Sequence, residues 1–347
     1  MDEDGIKLTS YFGERRRIDG QFVANAMVDL YAQRKVASSI VLRGAEGFGL
    51  RHHMRTNRSL SLSEDLPLAV IAVDASSRID DALEEVRRIN HRGLTTVEQT
   101  RFLSDDIDAV QFSETAADQA INLTIHFCRQ DTVFGVPAFE VMCELLRRRS
   151  VGGATALAGV DGTHQGRRQH AHFFSRNGDV PMMVVAVGAG ESIGSLLPDL
   201  GDLLRDPCIT LDQVQICKRD GELIGEPETP PAYDEDGMAL WQKLTVYASE
   251  ASRHDGQPIH RSLVRRLLSA GISGATTHPG VWGFRGEHVP HGGQHLLQFA
   301  HHVPAMTVAI DTPQRIPTAF GIVDELTAEH GLVTCESVPV IVPASGD

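Results

Sequence analysis

Apolar and polar residues along this chain change period in an order that repeats. Ile121, Leu123, Ile125 and Phe127 alternate strictly, which predicts a strand with one buried face. Val23, Ala26, Met27, Leu30 and Tyr31 then recur at helical spacing, as do Ala138, Val141, Met142, Leu145 and Leu146 further on, each set laying one apolar face on a sheet. Gly135 with Pro137, and Gly256 with Pro258, punctuate the helix starts and place proline in the first turn. A short apolar strand at Ser39–Leu42 follows, then a glycine-rich loop and a longer strand at Leu66–Val73. A second helix at about Ile79–Ile89 and a last strand at Thr95–Leu103 complete the unit. The order is βαββαβ.

The unit occurs three times. Aligning Leu8-Thr9, Leu123-Thr124 and Leu244-Thr245 brings Gly20, Gly135 and Gly256 into line, then Gly44, Gly159 and Gly280, then Gly47, Gly162 and Gly283. The offsets, 115 residues from Leu8 to Leu123 and 121 from Leu123 to Leu244, hold without a gap over about forty positions, which chance similarity does not produce. Leu66-Pro67, Val180-Pro181 and Val303-Pro304 realign after a loop. The reading is an α+β chain with domains at 1–104, 120–218 and 241–347, joined by an acidic linker at 105–119 and a proline- and acid-rich linker at 219–240. The strand and helix order of each copy is that of ferredoxin-like domains.

Charge and cysteine content narrow the class. The net charge of −14 is concentrated: residues 104–119 carry five acids, and 218–236 carry seven against Lys218 and Arg219, so the linkers hold ten of the fourteen negative charges. The second linker, with Pro227, Pro230 and Pro231 among its acids, is expected to be extended and mobile, and each linker, at about 16 residues or more, is able to span about 50 Å. Outside Arg147-Arg148-Arg149 at a helix end no basic stripe stands out, which argues against nucleic-acid binding. The five cysteines show no C-x-x-C spacing and read as reduced core thiols. The acidic start Met1–Asp4, with no long apolar run, leads to the expectation of a cytoplasmic protein.

The residues also carry a resemblance. Leu8-Thr9-Ser10-Tyr11-Phe12-Gly13-Glu14, Val41-Leu42-Arg43-Gly44-Ala45-Glu46-Gly47-Phe48-Gly49, and Asp65-Leu66-Pro67 with Val73-Asp74 resemble an uncharacterised family of PII-like proteins. Gly153-Ala154-Thr155 and Gly274-Ala275-Thr276 continue it in copies two and three. The resemblance implies ferredoxin-like domains of the kind that associate as trimers and bind nucleotides or other small effectors between subunits. Three copies in one polypeptide would then form an intramolecular pseudo-trimer, and the chain is expected to be a monomer in solution. It also implies a regulatory role, with an unidentified partner protein, for which a membrane transporter is one candidate.

Two groups of side chains are candidates for binding. Gly44-x-x-Gly47-x-Gly49 follows a strand, so its backbone N–H groups can form an anion nest, with Arg43 beside it and Glu46, Glu14 and Asp74 nearby. Copies two and three replace Arg43 by Ala158 and Pro279, and Glu46 by Asp161 and Trp282, which points to the cleft of copy one as the effector site. The alternative role for these glycines is backbone conformation at a tight strand exit. Ten of the sixteen histidines lie in the loops between second and third strands, and His288, His291 and His295 have a spacing that suits a divalent metal. No catalytic motif is present, so an enzyme is not expected. Three readings therefore stand: an effector sensor, a metal-binding protein using the loop histidines, and a scaffold docking on another protein. In the first, effector binding orders the long loop after residue 44.

Overall fold

The computed structural model describes residues 2–56, 65–104, 118–170, 180–285, 291–292 and 303–343, together with Ile107, Val110 and Phe112. Copy one consists of β1 (Asp2–Gly13), α1 (Val23–Gln33), β2 (Ser38–Arg43), β3 (Pro67–Ala75), α2 (Ser76–Ile89) and β4 (Leu94–Ser104). Copy two has β5 (Gln119–Cys128), α3 (Ala138–Arg148), β6 (Gly153–Ala158), β7 (Pro181–Gly188), α4 (Gly190–Leu203) and β8 (Cys208–Arg219). Copy three has β9 (Leu240–Ser249), α5 (Ile259–Ser269), β10 (Gly274–Pro279), β11 (Pro304–Asp311), α6 (Ile316–Leu326) and β12 (Leu332–Ile341). In copy one β1 pairs with β3 and β4, and β3 with β2, all antiparallel, giving the spatial order β4–β1–β3–β2. The corresponding strands of the other copies pair alike. Among the described residues no helix is long and apolar enough to cross a membrane.

The aligned glycine before each first helix sits in a hairpin. Asp19-Gly20, Phe134-Gly135 and Asp255-Gly256 all have two consecutive positive φ values, from 49° to 83°, the backbone of a type I′ turn. Pro137 and Pro258 lie in the last position of these hairpins, one residue before α3 and α5, and not in the first turn. Their φ of −51° and −56° suits the exit into the helix.

The strict alternation in β5 predicts one buried face, yet from Ala120 onward every residue of the strand is buried. Ile121, Leu123, Ile125 and Phe127 face the helices of copy two. The opposite face is covered by the other copies. Each copy has its own helix-covered core. A fourth core takes Ile40, Ile71 and Val73 from copy one, Met183, Val185 and Ile216 from copy two, and Met306, Val308 and Val340 from copy three. Polar residues on that face are thus buried between sheets rather than hydrated.

Backbone ladders close the arrangement. A strand at Asp161–His164 of copy two pairs with β2 of copy one, Trp282–Arg285 of copy three pairs with β6 of copy two, and Glu46–Phe48 of copy one pairs with β10 of copy three. The pairing therefore runs in a circuit through all three copies. The fourth strands also meet: β8 pairs with β4 and β12, and β12 with β4. At the centre, Lys7 binds Glu98 (2.8 Å) and Asp212 (2.6 Å), while Lys243 binds Glu98 (2.7 Å) and Glu336 (2.9 Å), all of them buried or nearly so. Asn122 occupies the position equivalent to these lysines, and its Oδ1, like Asp212 Oδ1, has no hydrogen-bond partner.

The described parts of both linkers are anchored, against the mobility expected of the second. Ile107, Val110 and Phe112 of the first pack on α4, where Gly190 and Gly194 leave room for them; a Cβ on Gly190 would lie 2.8 Å from Phe112 Cβ. The second is pinned from both flanking strands: the Glu228 amide donates to Gln215 Oε1 (3.1 Å), and Gln242 Nε2 donates to the Glu228 carbonyl (2.8 Å). Apolar side chains of the first linker and strand-borne amides at the second thus anchor their described residues.

Candidate functional site

A cleft of about 390 Å³ lies between copies one and three and is of a size suited to a small-molecule ligand. One wall comes from the exit of β1, the loop after Phe48 and the turn before β4, and the other from β10 and β11. Six arginines line it, Arg15, Arg16, Arg17, Arg51, Arg55 and Arg92, whereas Asp65 is the only carboxylate among its described lining residues. Asp65 accepts from Arg55 Nε (2.8 Å) and from the Arg15 amide (2.8 Å). Arg17 lies over the Phe22 ring, 4.0 Å from its centroid.

Arg16 stands close to other cations. Burial first, and then the cations of Arg51, Arg92 and Arg55, pull its pKa down to about 10, and Asp65 offsets them only in part. An anion in the cleft relieves that repulsion while accepting hydrogen bonds from planar guanidinium donors. Apolar surface from Phe48, Leu50, Val308 and Ile310 adjoins the cationic end. The arrangement can bind and orient an anion that also has a flat apolar part.

Of the residues singled out from the sequence, Gly49 lines the cleft, and a Cβ there would meet nothing within 4 Å. Gly44 and Gly47 lie at the joint between copies. A Cβ at Gly47 would stand 2.7 Å from the Ala275 carbonyl oxygen, and one at Gly44 2.7 Å from Thr276 Cγ2. Their equivalents Gly162 and Gly283 press against Ser39 and Ala154 of the adjoining copies in the same way. Close approach of neighbouring copies is thus one physical requirement for glycine at the repeated spacing. Glu46 is buried at this joint, 3.5 Å from Arg261 of copy three. Arg43 is half exposed and ion-paired with Glu14. Asp74 accepts the Ala37 amide (2.9 Å) and the Ala75 amide (2.8 Å), as Asp311 does with Ser273 and Thr312 in copy three. His288 and His295 lie outside the described residues, and His291 belongs to a two-residue strand whose side chains are likewise outside them.

Sequence reasoning did not reach the arginine cluster. One signal was visible, the run Arg15-Arg16-Arg17 directly after the first strand, a second basic stretch beside Arg147–Arg149. The other arginines are far away in sequence, and only the meeting of the β1 exit with the turns at 49–55 and 91–94 assembles them.

Comparison with known proteins agrees with the threefold division. The chain is similar to a UPF0166 protein of Aquifex aeolicus (strain VF5), 28% identical over 99 residues, covering 28% of this chain and 90% of that relative. About one copy therefore corresponds to nearly a whole relative. Residues 5–102, 120–216 and 241–340 each match the DUF190 family, described as "Uncharacterized ACR, COG1993". The chain thus belongs to this PII-like family and carries its unit three times in tandem.

Proposed function

We propose that the protein is a PII-like regulator, an intramolecular pseudo-trimer of ferredoxin-like domains, that senses a small anionic effector between copies one and three. A nucleotide is the class that fits best. The carrying observation is the cleft itself, six arginines against one carboxylate among its described lining residues around about 390 Å³, with apolar residues in the same lining. Phosphate oxygens fit Arg16, Arg51 and Arg92, and a base fits the surface of Phe48, Leu50 and Ile310. The β4–β1–β3–β2 order supports the ferredoxin-like assignment, and the circuit of strand pairings supports the pseudo-trimer. Because both walls of the cleft come from different copies, ligand binding tightens the joint between them. The signal passes to a partner protein in the cytoplasm, with a membrane transporter one candidate on the resemblance alone. It does so through the loops after the second strands, of which residues 57–64, 171–179, 286–290 and 293–302 lie outside the described residues.

Calorimetric titration of the full chain with adenine and guanine nucleotides, cyclic dinucleotides and the matching nucleosides tests the proposal. Only phosphate-bearing ligands should bind. Arg51→Ala or Arg92→Ala should weaken binding about tenfold or more, the 1.5–3 kcal/mol of a hydrogen bond to a charged group, with the melting temperature held. Arg43→Ala serves as the comparison: a loss equal to that of Arg51→Ala places the phosphate at the Gly44 loop instead. Equal binding of nucleosides and nucleotides, or indifference to both cleft arginines, overturns the proposal.

A further inference from the structure

The position that holds Arg16 in copy one holds an acid in copy two. At the constant offset of 115 residues, Gly13, Arg16 and Gly49 become Cys128, Asp131 and His164. These three side chains converge: Cys128 Sγ, a carboxylate oxygen of Asp131 and a ring nitrogen of His164 all lie within 4.8 Å of one another. We propose that this cluster is a transition-metal site, with zinc as the ion of best fit, bound in copy two beside its seam with copy one.

The donor set is one thiolate, one carboxylate and one imidazole, which suits a borderline-soft divalent ion and not calcium or magnesium. Bonds of about 2.0–2.3 Å in a tetrahedron need ligand atoms about 3.5 Å apart, so the cluster closes around an ion by side-chain movements of roughly 1 Å. Cys128 ends β5 and is buried, whereas Asp131 and His164 are half-buried, leaving a fourth position open to water or an exogenous ligand. Asp131 is oriented beforehand, since its Oδ2 accepts the Cys128 amide (2.7 Å), the kind of outer hydrogen bond that fixes a ligating carboxylate.

His164 reaches the site on the strand that crosses to copy one, where it pairs with Ser38, and the next amide, of Gln165, donates to the Ala37 carbonyl (2.7 Å). The third ligand is therefore set in place by the seam. The trio is confined to copy two. Copy three has Ser249, Ser252 and Arg285 at the equivalent places, and Arg285 is ion-paired with Asp220. Charge reversal from Arg16 to Asp131 puts a carboxylate in copy two where copy one has a cation of its arginine-lined cleft. The cluster uses none of the loop histidines His288, His291 and His295, and it does not rest on the nucleotide proposal.

The test is titration of the metal-free full chain with cobalt(II), then zinc(II), in the presence of a non-thiol reductant. The expected result is one cobalt per chain, with a sulfur-to-cobalt charge-transfer band in the near ultraviolet that zinc abolishes. Cys128→Ser should remove the band. Because Cys128 is buried, Asp131→Asn and His164→Gln provide a second route, each expected to weaken binding about tenfold or more with the far-ultraviolet circular dichroism unchanged. A His288→Ala/His291→Ala/His295→Ala variant should keep both the band and its stoichiometry. Absence of the band in the wild type, its survival in Cys128→Ser, or its loss only in the loop-histidine variant overturns the proposal.

Discussion

Lys243→Met tests whether the buried charges at the centre hold the copies together. Burial disfavours the Lys243 ammonium, but Glu336 and Glu98 more than offset it and raise its pKa well above the ordinary value. Burial alone would raise the Glu98 carboxyl, yet Lys243 and Lys7 hold it at about 2. A carboxyl at about 2 instead of 4.5 corresponds to about 3 kcal/mol of stabilisation of its charged form. Methionine keeps most of the volume and removes the cation, leaving Glu98 with Lys7 alone and Glu336 without a bound ammonium. The expected loss at pH 7 is about 3–5 kcal/mol, the usual cost of removing one member of a buried ion pair. The pH dependence has a definite sign. Because the folded-state pKa of Glu98 is depressed, its contribution is complete above the ordinary carboxylate value and fades as pH falls toward about 2. Glu336 is shifted upward, chiefly by burial against the pull of Lys243, so its protonation favours the fold at acid pH. Removing Lys243 raises both carboxyls further, and the deficit of the variant should shrink between pH 7 and about 4.5. Urea unfolding followed by circular dichroism at the two pH values measures this. A loss under about 1 kcal/mol at pH 7, or a deficit that does not narrow in acid, would refute a dry, charge-paired centre.

Asn122→Lys supplies the third ammonium beside Asp212 Oδ1 and a cavity of about 60 Å³ that also borders Lys7, Lys243 and Glu336, and should raise the melting temperature; a lower one would mean that the extra length does not fit. Gly47→Ala drives a methyl group toward the Ala275 carbonyl and should cost about 1–3 kcal/mol, read from urea unfolding, whereas Gly49→Ala should cost much less. Light scattering after size exclusion should give the mass of one chain, 37.8 kDa, because the strand circuit is complete within it; a stable trimer of chains would contradict that closure.

The elements of each copy were legible because periodicity records which face of a helix or strand is apolar. Val23, Met27, Leu30 and Tyr31 are all buried in α1 as their spacing requires, and the observed ends of α2 and β4 lie within three residues of the expected ones. The repeat, and with it the family, was equally legible, since offsets are a property of the chain alone. Periodicity says nothing about what covers the second face of a sheet. Thr124 and His126 look like the wet side of β5, and they are buried only because two more sheets are laid against them.

The sites follow the same division. Gly44 and Gly47 could be seen to matter, but whether a glycine opens space for a ligand or for a neighbouring carbonyl is a fact about the partner strand, here β10 of copy three. Arg16, Arg51 and Arg92 are separated by whole elements, as are Cys128 and His164, and no local pattern links them. By itself the sequence determined three copies, their elements and the repeated glycine positions, because these depend on short-range backbone and burial preferences. The tertiary structure alone decided which charges meet, because the centre is made where different copies touch, and like charges such as Arg16 and Arg51 come together only when the fold of copy one brings the β1 exit beside the turn after Phe48.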